Sequence, residues 1–146
     1  MDSFEPDFAM LDLFRTDVAN NTKVLKENLQ ILKNDPSATT EKLEAMMQGI
    51  HAIWGGARVV ELETAAKIAQ TMKDYFSVVQ KGNIIIIPAH IDILLQATDM
   101  FAQLSETASD KVAAWFLEYQ EEIDSLVAAI IGIMEAKKIL QKIQSH

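Results

Sequence analysis

Apolar residues recur at helical spacing through almost the whole chain, and the breaks between the runs are short. From Asp7 to about Lys33 they fall at Phe8, Leu11, Phe14, Val18, Leu25, Leu29 and Leu32, a one-sided stripe that predicts a first helix. The stretch "NDPSATT" interrupts it. Thr39 or Thr40 is then placed to cap a second helix, with Glu41 and Glu44 in its first turn. That helix runs from about Thr40 into the adjacent glycines Gly55 and Gly56. A third covers roughly Leu62 to Gln80 and stops at "KGN", where Gly82 suits the left-handed C-terminal position. "IIIIP" has strand propensity, but Pro88 fits a first helical turn, and Ile91, Leu94, Leu95, Thr98, Phe101 and Leu104 follow at helical spacing. The isoleucines therefore read as a connector. After "SETASD", with Ser109 as cap, a last helix from about Asp110 to Gln141 carries Trp115, Ile123, Leu126, Val127, Ile130 and Ile131. Five helices with short connections predict an all-α, antiparallel four-helix bundle with an additional C-terminal helix. The expectation is one domain over 1–146, its core at about 7–106 and its final helix at about 110–141.

Composition narrows the function more than the fold. The 146 residues hold 21 acidic against 13 basic side chains, a net charge of −8. Such a surface repels phosphate backbones, so nucleic acid is not an expected partner, and an anionic membrane surface is disfavoured for the same reason. No apolar run approaches the ~20 residues of a membrane span, and "MDSFEPDFAM" lacks the basic and apolar regions of a signal peptide. There is no cysteine, which removes disulfide scaffolds, thiolate metal sites and thiol nucleophiles and agrees with a cytoplasmic location. No P-loop, G-x-G-x-x-G or G-x-S-x-G motif occurs, and no histidine pair has helical metal-ligand spacing. Neither a cofactor nor an autonomous catalytic site is expected. His90 reads as a first-turn surface residue, and His146 is terminal.

One stretch of the second helix invites a chemical reading. At about 100° per residue, Leu43, Met46, Ile50, Ile53 and Ala57 share one face, with Met47 and Trp54 flanking it. His51 lies on the solvated edge beside Glu44, Gln48, Gly55 and Arg58, and Gly55 is its immediate neighbour one turn on. An exposed imidazole with no side chain beside it is open to another protein's active site. Its ordinary pKa of ~6.5 leaves a nitrogen nucleophilic near neutral pH. It could take a phosphoryl group from a kinase-bound nucleotide and hand it to a carboxylate, with metal and electrostatic stabilisation supplied by the partners. A solvated histidine followed by a helix C-cap and a new helix accounts for the same residues.

"GIHAIWGGARVVELETAAKIAQTMKD" resembles the histidine-containing phosphotransfer domain, in particular that at the N-terminus of chemotaxis-type histidine kinases. The family pattern is approximately A-H-S-[IL]-K-G-[GA]-A followed by an apolar helix. "MLDLFRTDVANNTKVLKENLQIL" is similar to the family's first helix and "KGNIIIIPAHIDILLQATDMFAQL" to its fourth, so that roughly two-thirds of the chain is covered in order. The resemblance implies that His51 is the phosphoacceptor, attacking through Nε2 while a neighbour on the third helix holds the other nitrogen. It also implies that Gly55 and Gly56 keep the site accessible. The implied partners are a histidine kinase catalytic domain and the aspartate of a response-regulator receiver domain, with the chain as carrier or as the phosphoacceptor domain of a larger kinase. A degenerate member acting only as a binding module is the alternative.

Four positions depart from the pattern. Trp54 stands where the family usually has lysine, Lys73 where many members have a glutamate bonded to Nδ1, Gln70 where chemotaxis members often have a second histidine, and Glu61 where glycine is common. Lys73 could return the missing positive charge from the third helix, and Gln70 could offer its carbonyl to Nδ1–H. Trp54 is either a flank residue packed on the bundle or an anchor for a partner. The apolar, unusually long last helix offers a surface for a homodimer.

Overall fold

The structure, a computed structural model, describes residues 8–145; Asp7, expected to open the first helix, and His146 lie outside them. Five helices follow in order: α1 (Ala9–Asn34), α2 (Thr39–Val59), α3 (Glu63–Gln80), α4 (Pro88–Glu106) and α5 (Val112–Gln144), with short 3-10 turns at Pro36–Ala38 and Ser109–Lys111. No strand occurs among the described residues. This is the all-α bundle that the periodicity predicts. Helix α1 packs between α2 and α4, and α3 packs on α2. Helices α3 and α4 barely touch, and α5 closes the ring by lying against both.

The core holds the stripes read from the sequence, Leu25, Leu29 and Leu32 of α1, Met46, Ile50 and Ile53 of α2, and Ile91, Leu94 and Phe101 of α4, together with Met72, Tyr75 and Phe76 of α3. Helix α5 buries Val112, Trp115, Ile123, Val127 and Ile130, while 135–145 are exposed throughout. In the isoleucine connector Ile84 and Ile86 are buried and Ile85 and Ile87 exposed, the alternation of an extended chain with no neighbouring strand. Pro88 then opens α4, where its missing N–H costs nothing.

Two expected caps are corrected. Pro36 starts a 3-10 turn that runs straight into α2, so Thr39 lies inside the helix and its hydroxyl donates to the Pro36 carbonyl at 2.7 Å. Asp35 does the capping instead, one turn earlier, accepting from the Ser37 backbone N–H at 3.2 Å. Ser109 does not cap α5; its hydroxyl donates to the Asp12 carboxylate, tying the start of α5 to α1, and Arg15 donates to the same carboxylate at 3.2 Å.

Helices α2 and α3 end in the same way with different residues. Leu62 N–H reaches the Ala57 carbonyl at 2.9 Å, and Asn83 N–H the Val78 carbonyl at 3.1 Å. Both closures need a left-handed residue just before. Gly82 supplies it in α3 with φ 78°, and Glu61 in α2 with φ 60°. A Cβ is unfavourable there, so Glu61→Gly should raise stability by about 0.5–1 kcal/mol, read as an increase in Tm.

Burial also reaches a histidine. His90 is half-buried rather than on the surface, its Nδ1 2.9 Å from the hydroxyl of the buried Tyr75. Burial pushes the Tyr75 phenol well above its ordinary pKa and holds His90 below its ordinary 6.5. The unfolded chain therefore takes up the His90 proton first as pH falls. The stabilisation is complete above the unfolded pKa of ~6.5 and is lost as pH drops from there towards the lower folded value. Denaturant melts should show stability falling below pH 6.5, and His90→Asn, which keeps an acceptor for Tyr75, should flatten that slope.

Candidate functional site

Helix α2 presents His51 to solvent because Ile50 and Ile53 on either side of it turn into the core. The helix runs unbroken through both glycines to Val59, so the pair does not mark its end. The two glycines do different things. A Cβ on Gly55 would meet nothing within 4 Å, so the surface next to His51 is open. A Cβ on Gly56 would sit 2.8 Å from Cδ1 of Phe14, a buried ring of α1. Gly56, grouped with Gly55 in the expectation of site access, is thus constrained by helix packing.

Trp54 is half-buried and stacks on the imidazole, with ring centroids 5.6 Å apart and an interplanar angle of 28°. Lys73 of α3 sets its Nζ 3.9 Å from the centroid of the same indole, and the Arg58 guanidinium lies 5.5 Å from it. The two cations are attracted by the negative face of the ring system. Lys73 therefore reaches the site from the facing helix and lines the same groove as His51.

Gln70 does not reach the imidazole. Its amide donates to Asp74 at 2.8 Å, an i, i+4 pair along α3. His51 makes no hydrogen bond to any described residue, so neither of its nitrogens is held. Gln48, one turn before, donates to Glu44 at 3.5 Å and remains exposed.

Two grooves run along the seam between α2 and α3. The first, of about 690 Å³, is lined by His51, Met47, Gln48, Leu43, Lys73 and Ser77. The second, of about 730 Å³, is lined by Trp54, Arg58, Glu61, Lys67 and Gln70. Trp54 stands at their boundary. Sequence reasoning missed Leu43, Met47 and Ser77 as groove residues. The signal available was their spacing, since Met47 and Ser77 lie one turn from His51 and Lys73 respectively. Among the described residues no cluster of carboxylates and imidazoles could hold a metal ion, and no helix is long and apolar enough to cross a membrane.

An exposed helical histidine beside open backbone, on a bundle of antiparallel helices, has a counterpart among known families. The family model described as the Hpt domain matches residues 9–107. The chain belongs to the Hpt domain family. No curated protein and no solved structure matches it. The match takes in α1 through α4 and leaves α5 outside, so α5 is an addition to the Hpt unit. The function that goes with this unit is histidine phosphotransfer in phosphorelay signalling.

The two glycines should respond oppositely to one methyl group. Gly56→Ala should destabilise the bundle by about 1–3 kcal/mol, because the Phe14 ring cannot move away without repacking. Gly55→Ala should leave stability unchanged or raise it by up to ~1 kcal/mol through helix propensity. Thermal melts of the two variants compare them directly.

Proposed function

We propose that His51 accepts a phosphoryl group from ATP bound to a histidine kinase catalytic domain and passes it to an aspartate of a response-regulator receiver domain. The observation that carries this reading is an exposed His51 with open space at Gly55, inside the region that matches the Hpt family. In the first step the Nε2 lone pair attacks the γ-phosphorus, an N–P bond forms, and the bond to ADP breaks. Nδ1 keeps its proton or regains it from solvent before the second step, so that the ring can leave as neutral imidazole. In the second step a receiver carboxylate oxygen attacks phosphorus and the imidazole leaves. The chain supplies only the nucleophile and its surroundings; metal ion and nucleotide come with the kinase. This chemistry belongs to the cytoplasm, where ATP and reduced thiols are found, and agrees with a chain without cysteine.

Lys73 has a specific part in this reading. It rests on Trp54 at 3.9 Å and shares the first groove with His51. A phosphoryl dianion on Nε2 would draw the ammonium off the indole, because a charge-assisted hydrogen bond is stronger than a cation–π contact at a half-exposed ring. The positive charge that other members carry on α2 would thus come from α3.

A second reading, a binding module that carries no phosphate, is favoured by one observation. Nothing holds Nδ1 of His51, and the indole covers part of the ring. Incubation with active histidine kinases and labelled ATP separates the two. The carrier reading expects acid-labile, alkali-stable label that disappears in His51→Gln; a chain that no kinase labels is the binding module. Gly55→Leu should keep the fold and cut the labelling rate by at least ~100-fold by crowding the ring. Lys73→Met should slow it about tenfold, the factor that ~1.4 kcal/mol of transition-state charge stabilisation provides. Adding Trp54→Lys to that variant should restore the rate.

A further inference from the structure

Helix α5 touches α3 and α4 with one face, through Val112, Trp115, Ile123, Val127 and Ile130, and turns the opposite face to solvent along its full length. At about 100° per residue, Leu117, Glu121, Asp124, Ala128, Ile131, Glu135, Lys138, Ile139 and Lys142 fall on that outer face, with Gly132 and Ile143 at its edge. Three and four residues alternate between most of them, the spacing of a helix-pairing seam. Its large apolar members stand well out of the core: Leu117 is 81% exposed, Ile131 40%, Ile139 58% and Ile143 65%. Near its middle, at Ala128 and Gly132, the seam is small, and a Cβ on Gly132 would meet nothing within 4 Å. A second helix could come close there.

Charge selects the occupant. Residues 112–126 carry Glu118, Glu121, Glu122 and Asp124 and no lysine or arginine. Residues 127–144 carry Lys137, Lys138 and Lys142 against the single Glu135, which lies 3.6 Å from Lys138. A helix that is acidic in its first half and basic in its second is complementary to itself only when reversed. In parallel register acid would meet acid. We infer that this protein forms an antiparallel, twofold-symmetric homodimer through the outer face of α5, with Ala128, Ile131 and Gly132 at the crossing. About that centre, Glu121 and Asp124 come within a turn of Lys142 and Lys138 of the second copy, and Leu117 meets Ile143. The contact patch is the same on both copies, as a twofold interface requires. His51 projects from α2, whereas α5 covers the α3 and α4 side, so both phosphoacceptor sites stay open. The dimer does not depend on His51 being phosphorylated.

The test is sedimentation or light scattering of the full chain from micromolar to millimolar concentration. A dimer that weakens with salt is expected, and a monomer throughout overturns the inference. Asp124→Lys should raise the dimer Kd about tenfold or more by setting like charges together. The double variant Asp124→Lys, Lys138→Asp should recover it; no recovery overturns the register. Orientation is read by cross-linking, since the chain has no cysteine and each variant adds a single thiol. With a short thiol-bridging reagent, Ile131→Cys should link copy to copy and Leu117→Cys should not. Linkage through position 117 instead would mean a parallel pair and overturn the proposal. Circular dichroism of each variant confirms that a lost dimer is not a lost fold; all the substituted side chains are exposed.

Discussion

Everything at the α2 surface depends on how closely α2 lies against α1. A Cβ on Gly49 would meet the Asn21 carbonyl and Leu25 at 3.7–3.8 Å, ordinary contact, and Gly56, two turns on, admits the Phe14 ring where a Cβ would meet it at 2.8 Å. The two glycines lie seven residues apart on the side of α2 turned away from His51. With that side pressed on α1 and the Ile50–Ile53 stripe in the core, the rotation of α2 about its own axis is fixed. His51 is therefore held outward by contacts made on the far side of its own helix. A residue that hydrogen-bonds to none of its neighbours can still be oriented if its helix cannot turn.

Much of this was legible from side-chain pattern alone. Five helices, the left-handed Gly82, Pro88 at the head of α4 and the solvent-facing His51 follow from local rules of periodicity and backbone stereochemistry. What was not legible depends on partners distant in sequence. The packing role of Gly56 exists only because Phe14 arrives from another helix. The burial of His90 exists only because Tyr75 meets it across α3 and α4. Thr39 and Ser109 each had an expected local partner, a free N–H at a helix start, and each bonds elsewhere because a 3-10 turn precedes the helix. Gln70 illustrates the same competition, since an acceptor one turn away on its own helix takes the amide that was expected to turn towards the imidazole.

Two cations from different helices meet on one indole beside His51. Where the family pattern has lysine on the histidine's own helix, this chain has an indole, and an indole binds cations from wherever they come. Lys73 arrives from α3 and Arg58 from α2, and both settle on Trp54. The aromatic ring thus holds positive charge near His51 while leaving the ammonium able to move.

Trp54 has a further consequence. Its indole stacks on the His51 imidazole and carries the Lys73 ammonium 3.9 Å from its centroid. Indole emission responds to a neighbouring imidazole and to local charge, whereas the only other tryptophan, Trp115, sits buried in α5 away from both. The protein carries a built-in optical probe beside His51, so any change of charge on that imidazole can be followed by light in the unlabelled molecule.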